Sequence, residues 1–525
     1  AKPSAPPGRG RDRGKGGVPH FRWEEATIAE LQAAMESGRL TSRHLVRDYL
    51  HRIRAIDASG TQLNSVLETN PDAATLAEEL DDERRAQGAR GPLHGIPILV
   101  KENIATADQM ETTAGSLALL GSVVPRDAFM AAQLRRAGAV ILGKTNLSEW
   151  ANFRSTQSSS GWCGRAGQCL NPYALDHNPC GSSSGSGAAI SANLAAASLG
   201  TETDGSIVCP STANSLVGIK PTLGLTSRAG VIPIAHSQDV VGPMARTVAD
   251  AATVLGALTG VDPRDDATRD SRGRSHRDYR PFLDPQGLRG ARIGVWRQGV
   301  FGNSPEADEI AEAALREISR LGATIVDPAN IPHADELGDP EFTVLLYEFK
   351  ADLNAYLADL TRTRVRTLQD VIDFNEANAA REMPFFAQEI FLAAQEKGPL
   401  TDPEYRDALA TSKRLSREEG IDAVMDRFHL DAIVAPTGSP PWTTDLINGD
   451  HFLFGSSTPA AVAGYPNITV PAGYSFGLPV GMSFIGRAWS EPTLLRLTYS
   501  FEQGTKVRVA PEFRPSVGVK DFVPR

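Results

Sequence analysis

No run of about 18 consecutive apolar residues occurs anywhere in this chain, which speaks against a membrane-spanning helix. Cysteine is scarce, with only Cys163, Cys169, Cys180 and Cys209 among 525 residues. None of them forms a C-x-x-C pair, and His177 with Cys180 offers too few ligands for a zinc site. No metal and no organic cofactor is expected. Basic residues are outnumbered, leaving a net charge of −10. That balance argues against nucleic acid as the main partner. Self-similarity at a solenoid period is also missing.

What is present describes a globular protein, 41% hydrophobic and 22% charged. The opening AKPSAPPGRGRDRGKGG has no large apolar side chain, so residues 1–20 are expected to be a disordered basic tail. It lacks the apolar stretch of a signal peptide. A polar tail just after a cleaved signal would look like this, so a secreted or periplasmic location is the expectation favoured over a cytoplasmic one. Residues 516–525 are expected to form a second tail, and 21–515 one domain acting as a monomer. In the Gly-rich loop WCGRAGQCLNP, a small disulfide between Cys163 and Cys169 is expected if the protein is exported, with Cys180 and Cys209 as buried thiols.

Helical and strand patterns alternate along the chain. Thr27 and Glu30 form a capping-box pattern before an apolar face that stops at Gly38. Thr41 or Ser42 caps a second helix, and a polar helix covers about 71–87. Ile96 to Val100 reads as a short buried strand with Lys101 at its end. A lysine there is ordinarily solvated, and Glu102 beside it leaves an ion pair open. Residues 128–137 read as a helix, 139–142 as a strand, and Ser148 as a helix start. Further helices are expected over 247–258, 305–321, 340–360, 368–389, 403–428 and 491–503, with strands at 291–296, 323–326, 431–435, 468–470 and 480–485. Residues 262–288 are charged and turn-rich, suited to a surface excursion. The alternation favours a mostly parallel sheet with helices on its faces, in one large α/β domain.

The unusual stretch is CGSSSGSGAAISANLAAASLGTETDGSIVCPSTANSLVGIKP, from Cys180 to Pro221. Its composition suits a flexible linker. However, Ala188 to Ala197 favours a helix, and Ile207, Val208, Leu216, Val217 and Ile219 would not suit a solvated tether. A small-residue helix between two hydroxyl-rich loops is the better account, since glycine lets backbone approach a ligand closely.

Three chemistries compete for this stretch. GAVILGKT, Gly138 to Thr145, fits the P-loop expression, yet its intervening residues read as a buried strand whose amides would enter a sheet. Gly181 to Gly185 fits the G-x-S-x-G elbow with Ser183 as nucleophile. No strand precedes it, and His429 and His451 are lone candidates for the base. The third option activates a serine with a lysine whose pKa is lowered by burial. Lys101, Ser182, Ser183 and Ser206 supply its parts, and successive amides from Thr203 to Ser206 could form an oxyanion hole. On spacing alone, serines that merely satisfy turn and cap bonds are the preferred reading.

At these residues the chain resembles the amidase signature family. The likeness rests on GIPILVKENI, GSSSGSG, GTETDGSIVCP, GIKPTLGLTSRAGVIP, DVVGPMARTVADAA, AVAGYPNITVPAG and GLPVGMSFIG, spanning about residues 24 to 505. The resemblance implies a single domain with a central mixed β-sheet wrapped by α-helices. It also implies a Ser-cisSer-Lys triad, with Lys101 as base, Ser182 as the bridging serine in a cis peptide and Ser206 as nucleophile. The amides of Thr203, Asp204, Gly205 and Ser206 would form the oxyanion hole, and Ser183, Asn152 and Trp150 would support the site or touch substrate. Three residues depart from the common pattern. Glu202 stands for Asp, Asp204 for Gly and Val208 for Arg, the last weakening an amidotransferase reading. Within the family the wording is most similar to bacterial peptide amidases, which remove the C-terminal amide of peptides. Aryl, aliphatic or acyl amides, a component of the amidotransferase, and a non-catalytic binding homologue are the alternatives.

Overall fold

A computed structural model describes residues 21–518; the expected N-terminal tail and most of the C-terminal one lie outside the described residues. Thirteen strands form in chain order: β1 (Val66–Thr69), β2 (Pro97–Lys101), β3 (Val140–Thr145), β4 (Trp162–Cys163), β5 (Gly167–Gln168), β6 (Ala197–Glu202), β7 (Val217–Lys220), β8 (Val240–Ala245), β9 (Arg292–Val295), β10 (Thr324–Val326), β11 (Ala432–Pro436), β12 (Asn467–Ser475) and β13 (Leu478–Ile485). Eleven of them make one sheet in the order β1-β3-β2-β6-β8-β7-β12-β13-β11-β9-β10, while β4 and β5 form a small separate hairpin. The β2–β3, β2–β6, β9–β10 and β9–β11 pairs are parallel, and the others are antiparallel. The sheet is thus mixed, and helices cover it in a single domain.

The central strands β2, β3, β6, β7 and β8 are buried along their whole length. Such strands read as continuous apolar runs where the residues allow. β2 does, but β7 and β8 carry Gly218, Gly242 and Pro243, which disguise them as loops. β1 is four residues long and only partly buried, too short to show a period.

Helix caps agree closely with the chain pattern. Thr27 and Glu30 form the capping box, and Thr41, Thr247 and Ser304 each accept a backbone N–H at a helix start. Other expectations are corrected. The central helix runs from Ser184 to Ser191, and Ala197 already belongs to β6. Alanine there fills narrow space beneath the sheet instead of extending the helix. Ser148 starts a short turn, not a regular helix; Trp150, Ala151 and Asn152 take φ of 49°, 56° and 70°. The 368–389 pattern breaks into Leu368–Ala377 and Ala379–Glu382 before a separate helix, Glu389–Gln395. The 403–428 pattern is interrupted at Arg417–Ile421. Residues 262–288 are less superficial than expected, since Tyr279 and Leu288 are buried.

Candidate active site

Parallel pairing of β2 with β6 decides where the site lies. Ile98 pairs with Ala197, Leu99 with Ser198 and Val100 with Leu199, so both C-terminal ends emerge together. Lys101 ends β2 fully buried. Its Nζ donates to Thr201 Oγ1 at 2.8 Å, to Thr201 O at 3.2 Å and to Ser182 Oγ at 2.8 Å. Asn103 Nδ2 donates to the same Thr201 hydroxyl at 3.0 Å. Burial lowers the Lys101 pKa to about 7, opposed by the negative charges of Asp239 and Glu202. Desolvation disfavours the ammonium form, so a sizeable fraction of this amine is neutral near pH 7. Glu102 does not pair with Lys101; it takes Arg165 Nη1 at 2.6 Å.

Ser182 follows a cis peptide from Gly181, and its loop runs into the buried Ser184–Ser191 helix. That helix sits so close to its neighbours that a Cβ on Gly185 would lie 2.3 Å from Ser65 O and 2.5 Å from Asn146 N. Only small residues fit, which is why the stretch resembles a linker in composition.

The second loop leaves β6. Gly205 turns the chain with φ +77°, a conformation costly for other residues. Ser206 follows it, and its carbonyl accepts the Ser183 N–H at 3.2 Å, tying the two serine loops together. Among the described residues no protein acceptor takes the N–H of Asp204, Gly205 or Ser206. Glu202 braces the turn by accepting from the Ile207 and Val208 amides at 2.7 and 3.0 Å. Asp239 accepts from Thr203 Oγ1 at 2.6 Å and from the Ile234 and Ala235 amides. Burial pushes the Asp239 carboxyl up to about 6.

Gly181, Thr203, Gly205 and Ser206 line a cavity of about 580 Å³, walled elsewhere by Phe153, Ile390 and Trp442. A concave, partly apolar pocket holding a few convergent polar groups is the usual form of a small-molecule site.

A buried lysine joined to a serine beneath this turn is the arrangement that the resemblance implies, and wider comparison bears on it directly. The profile of the Amidase family matches residues 44–495. The chain belongs to the amidase signature family. It is 45% identical over 502 residues to a probable amidase of Arabidopsis thaliana, covering 94% of this chain and 92% of that one. The native peptide amidase of Stenotrophomonas maltophilia superposes with a TM-score of 0.91 at 49% identity, covering 94% of this chain and all of that one. A putative amidase of Schizosaccharomyces pombe is 40% identical over 524 residues, covering 93% of this chain and 87% of that one. Close similarity to plant and yeast proteins means that likeness does not single out a bacterial group. The activity the family carries is amide hydrolysis.

Within this amidase the other expected residues separate. Ser183 donates to Thr201 O at 3.1 Å and accepts the Thr201 N–H at 3.2 Å. It holds β6 in place and is no elbow nucleophile. Asn152 lines the cavity and donates to Ser160 Oγ at 3.1 Å. Trp150 does not reach the cavity. It is buried against Phe391 in the apolar cluster beneath the cavity wall. His429 and His451 are exposed. Lys144 of the P-loop-like run is buried, with Nζ on Ile104 O at 2.6 Å and Thr112 Oγ1 at 3.0 Å.

The cysteines are the clearest correction. Cys180 and Cys209 form the disulfide, with Cα atoms 5.9 Å apart, while Cys163 and Cys169 are buried thiols. The bridge joins the loop before Ser182 to the helix after Ser206, and tertiary proximity outranks the short spacing of the other pair. Thr201, Asn103, Asp239 and the disulfide were the site residues that sequence reasoning missed. Asp239 opens the DVVGPMA run and Thr201 opens TETDGSI, so both lay within recognised motifs. One cluster of metal-ligand type exists among the described residues, His236 with Glu348 and Asp352. There His236 Nδ1 already faces Asp352 at 2.9 Å and Nε2 faces Glu348 at 3.4 Å.

Proposed function

We propose that this amidase removes the C-terminal amide of peptides through an acyl-enzyme on Ser206, releasing ammonia. The observation that carries the reading is the buried Lys101 amine, 2.8 Å from Ser182 Oγ, beneath the cavity that Ser206 lines. A neutral amine has two protons and one lone pair. It gives its protons to the Thr201 oxygens and takes the Ser182 proton, while Ser182 accepts one from Ser206 as that serine attacks the amide carbon. The amides of Thr203, Asp204, Gly205 and Ser206 receive the developing oxyanion. Ammonia leaves with a proton returned along the same relay, and water then releases the acid. Likeness to a peptide amidase over 94% of this chain and a cavity walled by Phe153, Ile390 and Trp442 support a peptide as the acyl part. The Cys180–Cys209 bridge supports an oxidising compartment outside the cytoplasm.

Ammonia release would be measured across peptide amides, glutamine, fatty amides and aryl amides. Peptide amides should be the best substrates, and Ser206→Ala should lose at least about a thousandfold in kcat. Aryl or fatty amides cleaved in preference to peptide amides would overturn the peptide reading. A serine-directed acylating probe that still labels Ser206→Ala would overturn the nucleophile.

A further inference from the structure

The charged side chains lining the cavity are both acidic. Asp204 and Asp450 contribute to its wall, whereas lysine, arginine and histidine do not among the described residues. Asp450 is held rigidly, accepting from Ser160 N at 2.9 Å and from Asn178 Nδ2 and Trp442 Nε1 at 3.2 Å each. Asp204, beside the nucleophile's turn, accepts from Thr458 Oγ1 at 2.7 Å. Two further carboxylates brace the rim. Glu389 accepts from Ser155 Oγ and Thr156 N at 2.7 Å, and Asp445 from the Ile447 and Asn448 amides at 2.9 Å. Each of these partners is a neutral donor that orients the carboxylate and favours its ionised form, against the burial that raises the Asp204 and Asp450 pKa values.

Among the described residues none of the neighbouring cations lines the cavity, although Lys220 interacts with Asp204 and Arg154 with Glu389. Lys220 is buried, with Nζ on Ala460 O and Tyr465 O, and shares its charge among Glu202, Asp204 and Glu491. Arg154 is buried against Glu149 at 3.0 Å. Lys101 lies behind Ser182. A cleft lined by one sign of charge, with low-dielectric walls, concentrates that potential on whatever enters.

We propose that the cavity selects amides whose flanking group is cationic and rejects anionic ones. This rests on amide hydrolysis at Ser206 and adds the charge class of the substrate. The same field acts on the reaction's outcome. Hydrolysis converts a neutral amide and water into a carboxylate and ammonium, so once the nitrogen has left, each turnover leaves an anion inside an acidic wall. The acid product is pushed out, and a free C-terminus is refused entry for the same reason.

Two matched series test it. One is a tripeptide amide with Lys, Gln or Glu next to the terminal residue; the other is benzamide carrying a para aminomethyl or a para carboxylate group. The expected order in kcat/KM is cation over neutral over anion, spanning about tenfold or more. The difference should lie mainly in KM and shrink in about 0.5 M salt, where screening reaches only a few ångströms. Asp450→Asn should compress the span. A cation-to-anion ratio within about twofold, or an anionic preference, in whichever series turns over would overturn the proposal. Should Asp450→Asn fail to fold, the wild-type ratio and its salt dependence still decide. The peptide reading fails separately if only benzamides are cleaved, because the charge order remains readable in them.

Discussion

At Lys101, removal from water brings an amine that ordinarily titrates near 10.5 down to about 7, where it can accept a proton at neutral pH. A base is active only when deprotonated, so kcat/KM should rise with pH through about 7. A flat profile between about pH 6 and 8 would argue against this amine as the base. Asp239 holds that pKa up by its negative charge. Removing the charge in Asp239→Asn should therefore move the rising limb to lower pH, and a shift to higher pH would show that another group titrates. The sign for stability is the reverse of a usual salt-bridged lysine. Below 10.5 the unfolded chain takes up a proton that the folded site resists, so this residue's cost grows as pH falls and is complete below about 7. Arg165 shows the contrast. Its pKa is raised beside Glu102 and Glu68, although burial itself acts to lower it.

Two elements hold the catalytic loops in register. The Ser184–Ser191 helix is buried throughout and presses Gly185 against backbone of two other segments. Gly185→Ala should destabilise by at least about 1–3 kcal/mol, since backbone atoms cannot step aside as a flexible side chain would. Thermal unfolding of the variant checks this, and an unchanged Tm would show that the helix has room to move. The Cys180–Cys209 bridge closes a loop of sequence separation 29, which by loop-closure entropy is worth about 3–4 kcal/mol. Cys180→Ala combined with Cys209→Ala should therefore lower Tm and slow acylation of Ser206 by a serine-directed probe. Equal labelling rates would mean that the bridge serves stability alone.

Across the molecule, segments near both ends of the described residues are fastened to its centre. Arg508 forms two bonds of 2.8 Å to the Glu25 carboxylate and reaches Ser215 O at 2.6 Å and Ser191 O at 3.2 Å. One side chain thus joins the N-terminal segment, the C-terminal segment and the end of the central helix. Arg508→Ala leaves a partly buried carboxylate and two carbonyls without this donor. A loss of about 3 kcal/mol or more is expected in denaturant unfolding, with KM for a neutral amide unchanged because no atom of Arg508 lines the cavity. The sheet obeys the same logic. Its order β2-β6-β8-β7 places strands from residues 97–101 and 197–202 side by side, although a hundred residues separate Lys101 Nζ from Thr201.

Local chemistry in the sequence determined the capped helices, the apolar strand before Lys101 and the ordered motifs around Ser182 and Ser206. Those signals survive because capping, burial and turn formation depend on a few adjacent residues. The central helix was displaced by several positions because alanine serves narrow packing as well as helix propensity, and sequence alone does not distinguish the two. Strands β7 and β8 escaped notice because glycine and proline there answer to close strand and side-chain contacts. The disulfide partner, the place of Trp150 in the core and the acidic wall of the cavity were decided only by tertiary structure. Each depends on which distant segments meet, and that follows from how the whole chain buries its apolar surface. The Cys180–Pro221 stretch has a linker-like composition, yet it folds as two serine loops set among two short helices and two buried strands, with its base arriving from another strand.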